Sequence, residues 1–208
     1  MDIKLDPSRD DLPLVANTSH ILVKHYVLDL DVDFESQEQV AVEEYLKMIR
    51  LKTSVLLATA LQIGAYIAGA SEEQQEALYQ FGINVGLAFQ IQDDILDVWG
   101  NPATFGKAVG GDISCNKKTF VYLEAMRRLS GGNPSKELYY WYSQILEDNT
   151  EKIAAVKGIF EALGVRSACE NVVKEYTQNA LQLLKNLPQN EATEELRKLA
   201  NKLNTRNS

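Results

Sequence analysis

The sequence predicts an all-α fold, on three observations. Beyond residue 40 apolar residues recur at helical spacing in segment after segment, and none of these segments alternates with the period of two that marks a strand. Gly, Pro, Ser and Asn stand between the segments, where helices begin and end. With 208 residues and 45% hydrophobic content, the chain has the size of one ordinary domain and enough apolar material for a sizeable core.

Residues 1–35 read as a divergent N-terminal segment and residues 36–208 as one helical domain. Within the first, residues 28–35 alternate Leu28, Leu30, Val32 and Phe34 with acids, which is locally an edge-strand pattern. A lone strand would lack a ladder partner, so a helix end running into an acidic loop is the competing reading. Residues 42–68 carry Tyr45, Ile49, Val55, Ala60 and Ile63 on more than one face, which implies a helix buried on several sides. Ser71 followed by Glu72 and Glu73 reads as an N-cap with an acidic first turn, and the pattern then runs unbroken to Trp99, closed by Gly100 and Pro102. Residues 101–116 contain Pro102, Gly106, Gly110 and Gly111 and read as a structured loop. Further helices are expected at 118–129, 134–146, 150–163, 165–187 and 192–203.

Composition excludes several classes of function. A net charge of −8 without a concentrated basic stretch argues against nucleic acid, whose phosphates demand a positive footprint. Cys115 and Cys169 lie far apart with no His or Cys at metal-ligand spacing, as free thiols of a reducing, cytoplasmic compartment would. No signal-like segment opens the chain, and the longest apolar stretch, 55–70, is interrupted by Gln62, Gly64 and Gly69, so no transmembrane segment is expected. His20 and His25 carry no recognisable pattern.

The chemistry concentrates in Phe89-Gln90-Ile91-Gln92-Asp93-Asp94-Ile95-Leu96-Asp97. Gln90, Asp93, Asp94 and Asp97 follow i, i+3, i+4, i+7 spacing, a polar stripe on an otherwise apolar helix. Like charges one turn apart repel by about 0.2–0.5 kcal/mol even in water, and more when partly desolvated. A solvated helix end is the plain reading, but the apolar flanks weigh against it. An EF-hand calcium loop fails on spacing, because Ile95 and Leu96 separate Asp94 from Asp97. A metal-bridged diphosphate site suits hard oxygen ligands at this spacing, with Mg2+ as the ion, and it demands further cations nearby. Lys107 in the Gly-bearing loop and Lys117 before a helix N-terminus supply them, and loop amides and helix N-termini favour anions. Lys52, within Arg50-Leu51-Lys52-Thr53, reads as a cation in the middle of a buried helix, where it would require an anionic partner.

The run from Gly82 through Asp93-Asp94-Ile95-Leu96-Asp97 to Gly106-Lys107, continued by Gly110-Gly111-Asp112-Ile113 and Asn116-Lys117-Lys118-Thr119, closely resembles the second aspartate-rich motif of trans-isoprenyl diphosphate synthases, the polyprenyl synthetase family. Arg50-Leu51-Lys52-Thr53 resembles that family's Lys-Thr motif, and the ending that includes Arg206 is similar to its C-terminus. The resemblance spans roughly residues 30–208. It implies an isoprenoid synthase-type helical bundle, truncated at the N-terminus, and the condensation of isopentenyl diphosphate with an allylic diphosphate. It further implies Mg2+ held by Asp93 and Asp97 with Asp94 in support, and Lys52, Lys107 and Lys117 on the departing diphosphate. Thr53 and Gln90 would line the pocket of the developing cation, with Phe89 and Arg206 on the substrates. The family's first aspartate-rich motif has no counterpart here beyond a faint echo in Asp10-Asp11-Leu12-Pro13. Two readings follow: a synthase of doubtful activity alone, working as a homodimer or beside a complete synthase, or a non-catalytic regulatory or scaffold subunit of one.

Overall fold

The structure, a computed structural model, describes residues 40–102, 109–129 and 136–204. Every regular element among them is helical, as the sequence predicts. They are α1 (Val42–Ile49), a π-helical turn (Arg50–Ser54), α2 (Val55–Ile67), α3 (Glu72–Trp99), α4 (Gly111–Ser114), α5 (Phe120–Leu129), α6 (Lys136–Ser143), α7 (Thr150–Ala162), α8 (Val165–Leu183) with a 3-10 turn (Leu184–Asn186), and α9 (Glu191–Asn204). The alternating residues 28–35 and the N-terminal segment lie outside the described residues, so neither of their two readings is decided.

Helix α3 is the axis of the bundle, packed most extensively against α8 and α2. Its start follows from sequence: the Ser71 Oγ accepts the Gln74 N–H at 3.3 Å, and the Gln74 Oε1 accepts the Ser71 N–H at 3.0 Å. This reciprocal capping box satisfies two otherwise orphaned donors, and Glu72 and Glu73 sit at the positive end of the helix dipole. From Phe81 onward the helix buries Ile83, Val85, Leu87, Ala88, Ile91 and Ile95, each burial contributing about 1.5–3 kcal/mol for the large side chains. At its far end Trp99 packs on Phe160 with ring centroids 6.3 Å apart and donates from Nε1 to Glu161 at 3.3 Å, which fixes the helix end against α7.

Two glycines one turn apart set how closely α2 approaches α3. A Cβ at Gly86 would stand 2.6 Å from the Ser54 Cα, and one at Gly82 would run into the Ala58 backbone. Small residues on both helices therefore bring the backbones together here. The segment pressed against Gly86 is the π-helical turn, where the Val55 N–H reaches five residues back to the Arg50 carbonyl. Such single π turns are rare and are frequent at functional sites. No Gly or Pro in residues 50–54 announces it.

The structure corrects the sequence reading in three places. The helix expected to be buried on several sides leaves Leu56, Leu57 and Ile67 exposed at 46%, 41% and 75%. Inside the expected loop, residues 111–114 wind into the short α4. The helix expected over 134–146 is described only as Lys136–Ser143, and that over 165–187 gives way to the 3-10 turn after Leu183. Among the described residues no helix is long and apolar enough to cross a membrane.

The close approach has a sign that can be checked. Gly86→Ala is expected to destabilise the fold by about 1–3 kcal/mol through overpacking, in spite of a propensity gain of about 1 kcal/mol. Gly64→Ala, with nothing within 4 Å of the added carbon, is expected to stabilise by about 0.5–1 kcal/mol. Urea unfolding followed by circular dichroism measures both; a Gly86→Ala midpoint at or above the parent's would refute the packing account.

Candidate functional site

The last three turns of α3 carry Gln90, Asp93, Asp94 and Asp97, and the fold gives the three carboxylates different surroundings. Because successive helical residues are about 100° apart, Asp94 turns into the core and is 4% exposed. Its Oδ2 accepts the Tyr45 hydroxyl of α1 at 2.5 Å and the Phe120 N–H of α5 at 3.0 Å. Burial pushes the Asp94 carboxyl up to about 7, against the opposing pull of those two hydrogen bonds. Burial, with the Asp94 carboxylate beside it, pushes the Tyr45 hydroxyl well above its ordinary value, so the proton belongs to the tyrosine. The Phe120 amide lies at the N-terminus expected after Lys117, and the anion that it meets is the chain's own Asp94.

Asp97 is half-buried and faces the segment that follows α3. Its Oδ2 accepts the Asp112 N–H at 2.9 Å, and its carbonyl accepts the Gly110 N–H at 2.6 Å. Gly110 makes this return possible with φ +88°, a left-handed conformation that favours glycine. Burial holds the Asp97 carboxyl above its ordinary value, with the Asp112 amide and Lys117 pulling the other way. Asp112 in turn accepts the Lys117 Nζ at 2.8 Å, and its carbonyl accepts the Lys117 N–H at 2.9 Å. That hydrogen bond raises the Lys117 ammonium above its ordinary value.

Asp93 lines a polar cleft of about 200 Å3 together with Lys52, Gln90, Asp112, Lys117 and Lys118. Tyr45 and Asp94 form part of its floor. Asp97 does not line the cleft itself but holds Asp112, which does. Beside it lies an apolar cavity of about 610 Å3, lined by Lys52, Thr53, Leu56, Leu57, Phe89 and Leu199 among others. Lys52 borders both spaces, and the Thr53 hydroxyl donates to the Gln90 Oε1 at 3.3 Å across their junction. The structure thus brings Lys52, Thr53, Phe89, Gln90, Asp93, Asp94 and Lys117 around two adjoining spaces. Lys107 and Arg206 lie outside the described residues.

One premise of the sequence reading is overturned: Lys52 is exposed rather than buried in a helix interior, and it projects from the π-helical turn. Burial therefore sets no demand for an anion at Lys52. The stripe also divides: Asp93 faces the cleft, Asp97 reaches it only through Asp112, and Asp94, although it borders the cleft floor, commits its Oδ2 to α1 and α5. Tyr45 and Asp112 escaped sequence reasoning. Tyr45 is one aromatic residue in an apolar run 49 positions from its partner, with no local signal; Asp112, directly after two glycines, had one, an acid in the first turn of a helix.

Among the described residues no group of three or more His, Cys, Asp or Glu side chains is arranged to hold a metal ion. The donors present, carboxylate oxygens of Asp93, Asp97 and Asp112, are hard ligands beside lysines. Such a set fits Mg2+, which takes only one or two protein carboxylates and fills its octahedron with water and phosphate oxygens.

The Tyr45–Asp94 contact is testable by a double-mutant cycle with Tyr45→Phe and Asp94→Asn. Each single change leaves a buried partner short of a hydrogen bond at a cost of about 1–3 kcal/mol, and the cycle should return a coupling of about 1–3 kcal/mol. Additive single effects in denaturant unfolding would dismiss the contact.

Comparison with known proteins identifies the family. The chain matches the family described as Polyprenyl synthetase over residues 5–163. It is 36% identical over 172 residues to the short chain isoprenyl diphosphate synthase of Methanothermobacter thermautotrophicus, covering 82% of this chain and 51% of that protein. It is 38% identical over 141 residues to the (2E,6E)-farnesyl diphosphate synthase of Mycobacterium tuberculosis, covering 65% of this chain and 38% of that protein. The chain thus spans 51% of the length of the first of these relatives and 38% of the second. A crystal structure of a geranylgeranyl pyrophosphate synthase superposes with a TM-score of 0.82 at 40% identity, covering 94% of this chain and 60% of that one. A second, from Corynebacterium glutamicum and complexed with isoprenyl diphosphate and magnesium, gives 0.83 at 28% identity, covering 96% and 57%. With most of its length matched by the family and its fold shared with solved members, the chain belongs to the polyprenyl synthetase family.

Proposed function

We propose that this chain binds an isoprenoid diphosphate with Mg2+ and serves prenyl transfer, the condensation of isopentenyl diphosphate with an allylic diphosphate in isoprenoid biosynthesis. The observation that carries this reading is the adjoining pair of spaces. A cleft of carboxylates and lysines suits a metal-bound diphosphate, and the apolar cavity beside it suits a hydrocarbon tail. The two meet at Lys52 and the Thr53–Gln90 hydrogen bond, where the bond between carbon and diphosphate oxygen would lie.

Asp93 and Asp97 would hold the ion, with Asp112 beside them. Mg2+ held there would supply positive charge to a leaving diphosphate. Lys52 and Lys117 hold the diphosphate oxygens and stabilise the charge that accumulates there. Lys107 and Arg206 keep the substrate contacts that the family resemblance implies. Thr53 and Gln90 turn oxygen dipoles toward the carbon that becomes cationic, and Phe89 packs along the tail. The released diphosphate is the base that removes the proton after condensation. Asp94, bound to Tyr45 and Phe120, positions the helix rather than ligating the metal. The free thiols Cys115 and Cys169 support a cytoplasmic setting.

The exposed Ile67 of α2 and Tyr139 and Tyr140 of α6 support pairing with a second chain, as a homodimer or with a complete synthase. They also favour the second reading, a regulatory or scaffold subunit. Labelled isopentenyl diphosphate assayed with an allylic diphosphate, on the chain alone and beside a complete relative, separates the two. Turnover that Asp93→Ala abolishes supports the enzyme. A change in the relative's turnover that Asp93→Ala leaves intact supports the subunit.

Binding is measured more directly by thermal unfolding. Inorganic diphosphate with Mg2+, at about a hundred times its dissociation constant, should stabilise by about 2.7 kcal/mol, which raises Tm by roughly 5–10 °C for a chain of this size. Diphosphate without Mg2+ should shift it far less, and Asp93→Ala with Asp97→Ala should remove the effect. No shift at millimolar diphosphate and Mg2+ would refute the proposed function.

A further inference from the structure

Lys152, in the first turn of α7, is 0% exposed, yet its ammonium meets only neutral oxygens. Its Nζ donates to the Asn116 Oδ1 at 2.5 Å, to the Gln144 carbonyl at 3.0 Å and to the Ser114 carbonyl at 3.4 Å. An ammonium has three N–H groups, and each finds one acceptor. A charge buried without a counter-ion is unfavourable, and burial holds this group below its ordinary value. A lysine kept in such a place points to what it fastens.

What it fastens is the strap of residues 110–119 between α3 and α5. Asn116 adopts φ +55°, the left-handed conformation that asparagine tolerates better than most residues. Its Nδ2 donates at 3.1 Å to the same Gln144 carbonyl that Lys152 holds. The next residue is Lys117, whose N–H and Nζ both bond to Asp112, and Asp112 donates its own N–H to Asp97. Hydrogen bonds together with the Asn116–Lys117 peptide link therefore connect the buried ammonium to the carboxylate of α3. Lys152 does not line the cleft.

We propose that Lys152 is a positioning residue of the cleft: by tying Ser114, Asn116 and Gln144 together it presents Asp112 and Lys117 to the ligand and holds Asp97 in orientation. The inference rests on the reading of the cleft as a Mg2+–diphosphate site, and a hydrogen-exchange measurement without ligand separates its fate from that reading's.

The experiment uses Lys152→Met, with Val156→Ala one turn along the same helix, equally buried, as a control for destabilisation alone. Asn116→Gly removes the side-chain acceptor while keeping the backbone angle accessible, and it stands in if Lys152→Met does not fold. Exchange at the Asp112 and Lys117 amides should accelerate tenfold or more in Lys152→Met and Asn116→Gly, while the Val173 and Ala180 amides of α8 stay within threefold. The dissociation constant for inorganic diphosphate at saturating Mg2+ should rise tenfold or more in the same two variants and stay within twofold in Val156→Ala. Unchanged protection at Asp112 and Lys117 overturns the inference whether or not the chain binds diphosphate. Lost protection with unchanged affinity overturns it too, as does an affinity loss in Val156→Ala as large as in Lys152→Met. A parent chain that binds no diphosphate fails the proposed function, while the exchange arm still decides whether Lys152 holds the strap.

Discussion

A single carboxylate oxygen, the Oδ2 of Asp94, joins three helices: its own α3, α1 through the Tyr45 hydroxyl, and α5 through the Phe120 amide. In a buried setting these bonds are stronger than at the surface, and leaving the carboxyl without them would be costly in proportion. The rest of the cleft hangs from that junction. The end of α1 fixes where the π-helical turn begins and hence where Lys52 and Thr53 project. The start of α5 fixes the far end of the strap that carries Asp112, Lys117 and Lys118. Tyr45 and Phe120 also pack together, tilted by 48° with ring centroids 6.4 Å apart, so aromatic packing flanks the polar contact.

The electrostatic conflict of three aspartates on one helix is resolved by separating their tasks. Asp94 goes inward and is neutralised in effect by two donors. Asp97 faces sideways and is met by the Asp112 amide, with Lys117 close behind. Asp93 alone is left to the open cleft, where solvent and lysines moderate its charge. Like charges at i and i+4 repel least when their environments differ in this way. The glycines earlier on the same face of α3 serve the same end: with no Cβ at Gly82 and Gly86, the turn bearing Lys52 and Thr53 comes close enough for Thr53 to reach Gln90.

Much of this was legible in the sequence because it is local. Helical periodicity, the Ser71 capping box and the Gly100 stop mark α3 almost to the residue, and the acids with Gln90 and the Lys-Thr pair mark one wall of the cleft. The parts that could not be read depend on which helix lies next to which. Tyr45 looks like any core aromatic until α1 is laid across α3. The spacing of Asp94 and Asp97 is the same whether a side chain meets a hydroxyl, an amide or a metal. The apolar neighbours of Lys52 in sequence point to a buried interior, whereas in the π-helical turn the side chain is exposed. Lys152 gave no sign at all, since a lysine on an amphipathic helix reads as surface until three carbonyl and amide oxygens converge on it.

The donor set also bears on how metal and diphosphate depend on one another. Mg2+ gives up its water reluctantly and asks for near-octahedral oxygen. On the proposed reading the protein part of its shell would be one or two carboxylates. Diphosphate alone meets the opposite difficulty, because its charge must enter a cleft lined by Asp93 and Asp112. Each component therefore supplies what the other lacks: the metal cancels the repulsion between phosphate and aspartate, and the phosphate completes the metal's coordination. On the proposed reading the two bind as a pair, and Lys52 and Lys117, which line the cleft and repel a bare cation, select for the pair over the free ion.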